Sequence, residues 1–144
     1  LEGALADQID SRGIADSVTM HGYVARHSEE LLDLYRRSSL FLLPSDWEGQ
    51  PLVLLEAWAS GIPIVGADAV GIREFVRKTG YGVITPLNEP ERLAATVVDI
   101  RDRADQLRAW GEDARAHVAR RYSWERIAAR TYETYQKVRN DCTA

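Results

Sequence analysis

Two carboxylates carry the first chemical suggestion. Glu48 and Glu56 stand eight positions apart in the stretch Pro44-Ser-Asp-Trp-Glu-Gly-Gln-Pro-Leu-Val-Leu-Leu-Glu-Ala-Trp-Ala-Ser-Gly-Ile-Pro63. Gly49-Gln50-Pro51 between them reads as the opening of a helix, because proline suits a first helical position where its missing N–H has no intrahelical partner. The unpaired amides and positive dipole end of such a helix form an anion site, with Gly49 letting a phosphate approach the backbone. Glu48 then lies before the helix start, and Glu56 a turn or more inside it, on the face of Leu52. Carboxylates gain nothing from a phosphate. They do accept short, charge-assisted hydrogen bonds from sugar hydroxyls. Spacing alone also fits a plainer reading, in which Glu48 complements the helix dipole and Glu56 faces solvent.

Residues nearby are less decisive. Trp47 suits stacking on the apolar face of a sugar, or equally packing beneath the loop. Asp46 either caps or contacts a ligand, and Arg73 and Glu74 either pair with each other or reach one. His21, at a strand end, is read as structural, and His27 and His117 as solvated. Three histidines so dispersed do not suggest a metal cluster. Trp58 is expected in the core, and Trp110 and Trp124 are expected to pack C-terminal helices onto a sheet.

The elements that must position these groups alternate along the chain. Helical periodicity runs over Leu1–Arg12, Ser28–Arg37, about Pro51–Ser60 and around Ile72–Lys78. Short apolar runs at Val18–His21, Leu40–Leu43, Pro63–Gly66 and Gly82–Thr85 read as strands, the second covered on both faces and stopped by Pro44. Four-residue strands between ten-residue helices imply βαβ units and a parallel sheet with right-handed crossovers. Ligands of such sheets bind beyond the carboxyl ends of the strands, here Gly22–Val24, Pro44–Pro51 and Ala67–Gly71. From Glu89 onward only helices are expected, broken near Tyr122–Trp124 with Ser123 as an N-cap. Residues 1–144 are thus expected to form one domain, an α/β, Rossmann-like parallel sheet with flanking helices over about 1–100 and C-terminal helices over about 101–140.

Composition bounds the rest. The 144 residues are 45% hydrophobic and 28% charged, as in an ordinary globular domain. No apolar run approaches the length of a membrane span. The lone cysteine, Cys142, excludes an intramolecular disulfide and a cysteine-based zinc site. A net charge of −4 argues against nucleic acid as a partner. The charge is uneven: residues 101–140 hold ten Arg/Lys against six Asp/Glu, and residues 1–100 hold eight against fifteen. Solvated helices explain this most simply, with membrane-surface association through the basic C-terminal helices as the alternative. The expected location is the cytoplasm, with that peripheral association as its variant. A start at Leu1 leads us to expect an excised or processed piece.

Glu48 through Glu56, continued by Ala-Trp-Ala-Ser-Gly-Ile-Pro-Ile-Val65, resembles the Glu–seven residues–Glu signature of the retaining, GT-B fold glycosyltransferases of group 1 (family 4). Val18-Thr-Met-His-Gly22-Tyr-Val24, Ser38-Ser-Leu-Phe-Leu-Leu-Pro-Ser45, Gly71-Ile-Arg-Glu74, Gly80-Tyr-Gly82 and Tyr122-Ser-Trp124 resemble the family's flanking segments in the same order. The resemblance implies a C-terminal, nucleotide-sugar-binding domain. Glu48 would contact the transferred sugar as the catalytic residue, and Glu56 the ribose hydroxyls. Backbone at Gly49, Gln50, Pro51, Leu52 and Val53 would serve the diphosphate or sugar, with Leu52 also lining the nucleotide pocket. Gly22, Tyr23 and Val24 would receive the base. No metal or other cofactor is implied, the nucleoside-diphosphate sugar being a substrate. Pro51 and Val70 stand where the family commonly has glycine.

The resemblance also implies a missing N-terminal acceptor domain as partner, and an isolated chain that does not catalyse. Transfer of a hexose to a saccharide or lipid acceptor is then the expected activity of the intact enzyme. The rival expectations are a nucleotide-sugar epimerase of the same fold, and a non-catalytic binding or docking fragment, with self-association of the fragment through exposed edges.

Overall fold

The computed structural model describes residues 2–142. They form two compact units, Leu1–Arg36 and Arg37–Ala144. In the first, helix α1 (Glu2–Ser11) leads through a single 3-10 turn at Ala15–Ser17 to an irregular stretch and then helix α2 (Glu29–Arg37). The Ser28 hydroxyl accepts the Leu31 amide at 3.1 Å and caps α2. Neither helix buries a residue.

Val18–His21, expected as a strand, is not one. Val18 has extended dihedrals, but the segment is no part of the sheet. Extension without ladder hydrogen bonds does not make a strand. His21 is exposed and lies 3.8 Å from Glu30.

The second unit is built on a parallel three-stranded sheet in the order β1 (Phe41–Leu43), β2 (Ile64–Ala67), β3 (Gly82–Thr85). The register pairs Phe41 with Ile64, and Ile64 in turn with Gly82. Helix α3 (Leu52–Ala59) links β1 to β2, and α4 (Val70–Thr79) links β2 to β3. All four residues of β2 are buried, which is why its sequence, Ile-Val-Gly-Ala, shows no polar alternation. Three helices follow, α5 (Pro90–Arg101), α6 (Ala104–Arg121) and α7 (Trp124–Asp141). α3 packs on α6 and α4 on β2 and β3. A Cβ at Gly111 of α6 would overlap the Gly61 carbonyl, so α6 meets the exit of α3 at backbone distance. No helix among the described residues is long and apolar enough to cross a membrane.

The core centres on Trp58, Leu54, Ile64, Val65, Ile72 and Val76. Trp58 stacks on Phe75 with centroids 4.9 Å apart and meets Tyr81 edge-on at 5.9 Å. Its indole N–H donates to the Tyr81 carbonyl at 3.1 Å. The ring cluster continues through His117 and Tyr122, 5.7 Å apart. His117 is therefore not a solvated residue: it is half-buried against Tyr81 and Tyr122. Trp124, expected on the sheet, is 80% exposed. The chain turns at Ser123, so Tyr122 enters the cluster and Trp124 starts α7, a helix with no buried residue.

Burial, then Arg121 and Arg120, hold the His117 pKa below its ordinary value. A folded-state pKa below the unfolded one means that the unfolded chain binds the proton better. The contribution of neutral His117 is thus complete above the unfolded value of about 6.5 and declines as pH falls below it. Urea midpoints should fall between neutral pH and about pH 5. In a His117→Gln variant that part of the decline should vanish.

Candidate functional site

β1 ends at Leu43, and Pro44 cannot donate to a continuing ladder. The chain then turns outward through Asp46, Trp47, Glu48 and Gly49 before entering α3. Pro51 stands one position earlier than expected. It is the buried residue preceding the helix, with φ −72° and ψ 102°, and helical structure starts at Leu52. Having no side-chain oxygen, Pro51 leaves this helix end uncapped. Leu54 N–H already donates to the Pro51 carbonyl at 3.1 Å. That leaves the Leu52 and Val53 amides as the open donors of the first turn. Leu52, Val53, Gly49 and Gln50 are exposed at this end, while Glu48 and Glu56 are half-buried.

α4 braces this loop. A Cβ at Gly71, in the first turn of α4, would overlap the carbonyl oxygens of both Glu48 and Gly49. Two carbonyl dipoles thus complement the positive end of α4, itself uncapped at Ala69, and fix the backbone that carries Glu48. Val70, where a second glycine is common, is 60% exposed and does not obstruct the contact.

Other side chains resolve as follows. Arg73 pairs with the Asp68 carboxylate and also donates to the Asp68 carbonyl at 2.9 Å, so Glu74 is not its partner. Trp47 is 77% exposed and does not pack beneath the loop. Its ring lies beside Gly49, with Cη2 3.8 Å from where a Cβ there would stand. The three residues expected to receive a base, Gly22, Tyr23 and Val24, lie in the first unit. There Gly22 has φ +62° and Tyr23 is 89% exposed. Glu48 through Glu56 lie in the second unit.

Sequence reasoning missed one wall. A cavity of 250 Å³ opens at the carboxyl edge of all three strands, lined by Pro44, Ala67, Thr85, Pro86, Leu87 and Leu93 among others. Thr85 ties its floor together. Its backbone carbonyl accepts the Asp68 amide at 2.9 Å, and its buried hydroxyl donates to the Gly66 carbonyl at 3.4 Å. The signal available was Pro86 and Pro90 bracketing a turn directly after β3, at the edge where parallel sheets bind ligands.

Known proteins agree with this architecture. The chain is similar to a D-inositol 3-phosphate glycosyltransferase of Thermobispora bispora, 37% identical over 131 residues, covering 91% of this chain and 30% of the relative. Among solved structures it is similar to a sucrose-phosphate synthase from Thermosynechococcus elongatus, with a TM-score of 0.83 and 24% identity over 95% of this chain and 34% of that one. It is likewise similar to Anabaena HepE in complex with UDP, with a TM-score of 0.83 and 24% identity over 94% of this chain and 36% of that one. The chain thus spans about a third of the length of the proteins it matches. These likenesses are to GT-B proteins, and the parallel α/β sheet with flanking helices is that fold. Residues 2–117 match the family of glycosyl transferases group 1, and the chain belongs to that family.

Proposed function

We propose that this chain is the donor-binding part of a retaining glycosyltransferase of family 4, taking a nucleoside-diphosphate sugar and, in the intact enzyme, giving its hexose to a saccharide or lipid acceptor. Family membership supports the transfer chemistry. The observation that carries the donor site is the uncapped start of α3 beside a Glu48 loop clamped by Gly71. In this reading the Leu52 and Val53 amides take the diphosphate and stabilise the negative charge that grows on it as the sugar leaves. Glu48 orients the sugar hydroxyls and Glu56 the ribose. Gln50 and Pro51 shape the approach, and Leu52 also lines the nucleotide pocket. The reading needs no metal or other cofactor, because preorganised amides answer the developing charge. It assigns no protein nucleophile. The UDP bound to HepE supports a nucleotide as the ligand class.

Calorimetric titration with UDP, GDP and ADP and their hexose conjugates tests this. One base should bind saturably, and Glu56→Ala should weaken it roughly tenfold or more, the worth of a charge-assisted hydrogen bond. Glu48→Ala should weaken only the hexose conjugate, leaving the bare diphosphate untouched. Nucleotide binding indifferent to Glu56→Ala would sink the assignment.

A further inference from the structure

The turn between β2 and α4 is held by a side chain that the donor site does not use. Asp68 opens this turn, and its amide donates to the Thr85 carbonyl at 2.9 Å, which ties it to the end of β3. The chain then tightens, Ala69 N–H donating to the Ala67 carbonyl at 2.8 Å. Ala69 has no side chain with which to cap α4. Arg73, one turn into the helix, reaches back instead. Its Nε–H pairs with the Asp68 carboxylate, and its Nη2 donates to the Asp68 carbonyl at 2.9 Å. A planar guanidinium thus grips one residue by side chain and backbone together, a fork that a lysine ammonium does not reproduce. Both partners are half-buried, so salt screens this pair less than an exposed one such as Arg103 with Asp99.

Gly71 lies within the stretch that the fork closes, between Asp68 and Arg73. Its backbone is the part of α4 that stands against the Glu48 and Gly49 carbonyls with no room for a Cβ. Burial of Ile72 seats α4 on the sheet, and the fork sets how the first turn of α4 meets the Glu48 loop. We propose that Arg73, acting through Asp68 and Gly71, is a positioning residue for Glu48. The consequence for a ligand rests on the donor site proposed above: Glu48 orients the sugar hydroxyls only while its loop keeps this place.

The first test needs no ligand. Proton–nitrogen NMR resolves the indole N–H groups of Trp47, on the exposed loop, and Trp58, in the core, with Trp47→Phe and Trp58→Phe to assign them. In Arg73→Gln the Trp47 resonance should shift or broaden, while that of Trp58, bonded to the Tyr81 carbonyl, stays in place. Asp68→Asn should act in the same direction. The double variant should go no further than Arg73→Gln alone, because the two side chains work as one unit. Arg103→Gln breaks an ion pair elsewhere and should move neither resonance. Titration then reads the site. In Arg73→Gln the hexose conjugate should lose roughly fivefold or more in affinity, part of the worth of a charge-assisted hydrogen bond, while the bare diphosphate binds as before. A Trp47 resonance that stays put in Arg73→Gln, or that moves only together with Trp58, would overturn the proposal. So would an equal loss of conjugate and bare diphosphate. A displaced Trp47 with conjugate binding that ignores Glu48→Ala sinks the donor site instead, and leaves the hold of the fork on the loop standing.

Discussion

Trp58→Ala should unfold this chain more readily than any other single truncation, at a cost of about 3–5 kcal/mol, the range for emptying a buried tryptophan site. Trp58 is fully buried, stacked on Phe75, edge-on to Tyr81 and hydrogen-bonded to the Tyr81 carbonyl. Truncation opens a hole where α3 and α4 meet, and leaves that carbonyl without its donor. For a domain of this size the loss corresponds to a fall in Tm of about 10 °C or more. Trp58→Phe separates the two parts. It keeps a ring on Phe75 and should lose only about 1 kcal/mol with the hydrogen bond, beyond any repacking. Thermal and urea unfolding of the two variants read this directly. A Trp58→Ala chain as stable as the parent would show that the cluster does not hold α3 to α4.

Gly71→Ala should damage the donor site out of proportion to the single methyl added. The new Cβ meets backbone carbonyls at both Glu48 and Gly49, and backbone cannot step aside as a flexible side chain can. Either α4 lifts or the loop moves, at about 1–3 kcal/mol of overpacking. Because the loop carries Glu48 and opens α3, affinity for the hexose conjugate should fall by about tenfold or more, as expected for a site whose groups lose their geometry. Val70→Ala, one residue away and exposed, is the control and should leave binding as it was. Titration of both variants with the same conjugate distinguishes site damage from loss of fold. Unchanged affinity in Gly71→Ala would mean that the loop tolerates displacement.

Much of the second unit was legible in the sequence. Ile64–Ala67 is apolar on consecutive positions because the sheet buries it throughout, whereas Phe41–Leu43, expected to be covered on both faces, is an edge strand with Leu42 44% exposed. Gly61 follows the end of α3, and Gly80 ends α4 in the left-handed region at φ +76°. Ser123 likewise capped α7. The failures share a cause. Val18–His21 has strand composition, but pairing is a tertiary event that composition does not specify. His117 lies amid arginines in the sequence, yet one ring on α6 is aimed at Tyr81 and Tyr122. The placement of Trp124 failed because adjacent helical residues point about 100° apart, so a one-residue shift of the turn exchanges core for solvent. At the site, the Glu48–Glu56 spacing was readable. The clamp at Gly71 was not, since it depends on where α4 returns in space. The same holds for the cavity wall after β3.

The enclosure of β2 and the bareness of α7 set two different clocks. Amides of a strand buried along its whole length exchange with solvent only when the unit opens globally, whereas a helix with no buried residue frays and re-forms while the sheet persists. The loop and helix that carry Glu48 and Glu56 are anchored to the slow part. Rearrangement of α7 therefore leaves the Glu48 loop at rest, and the two ends of this unit relax on separate timescales.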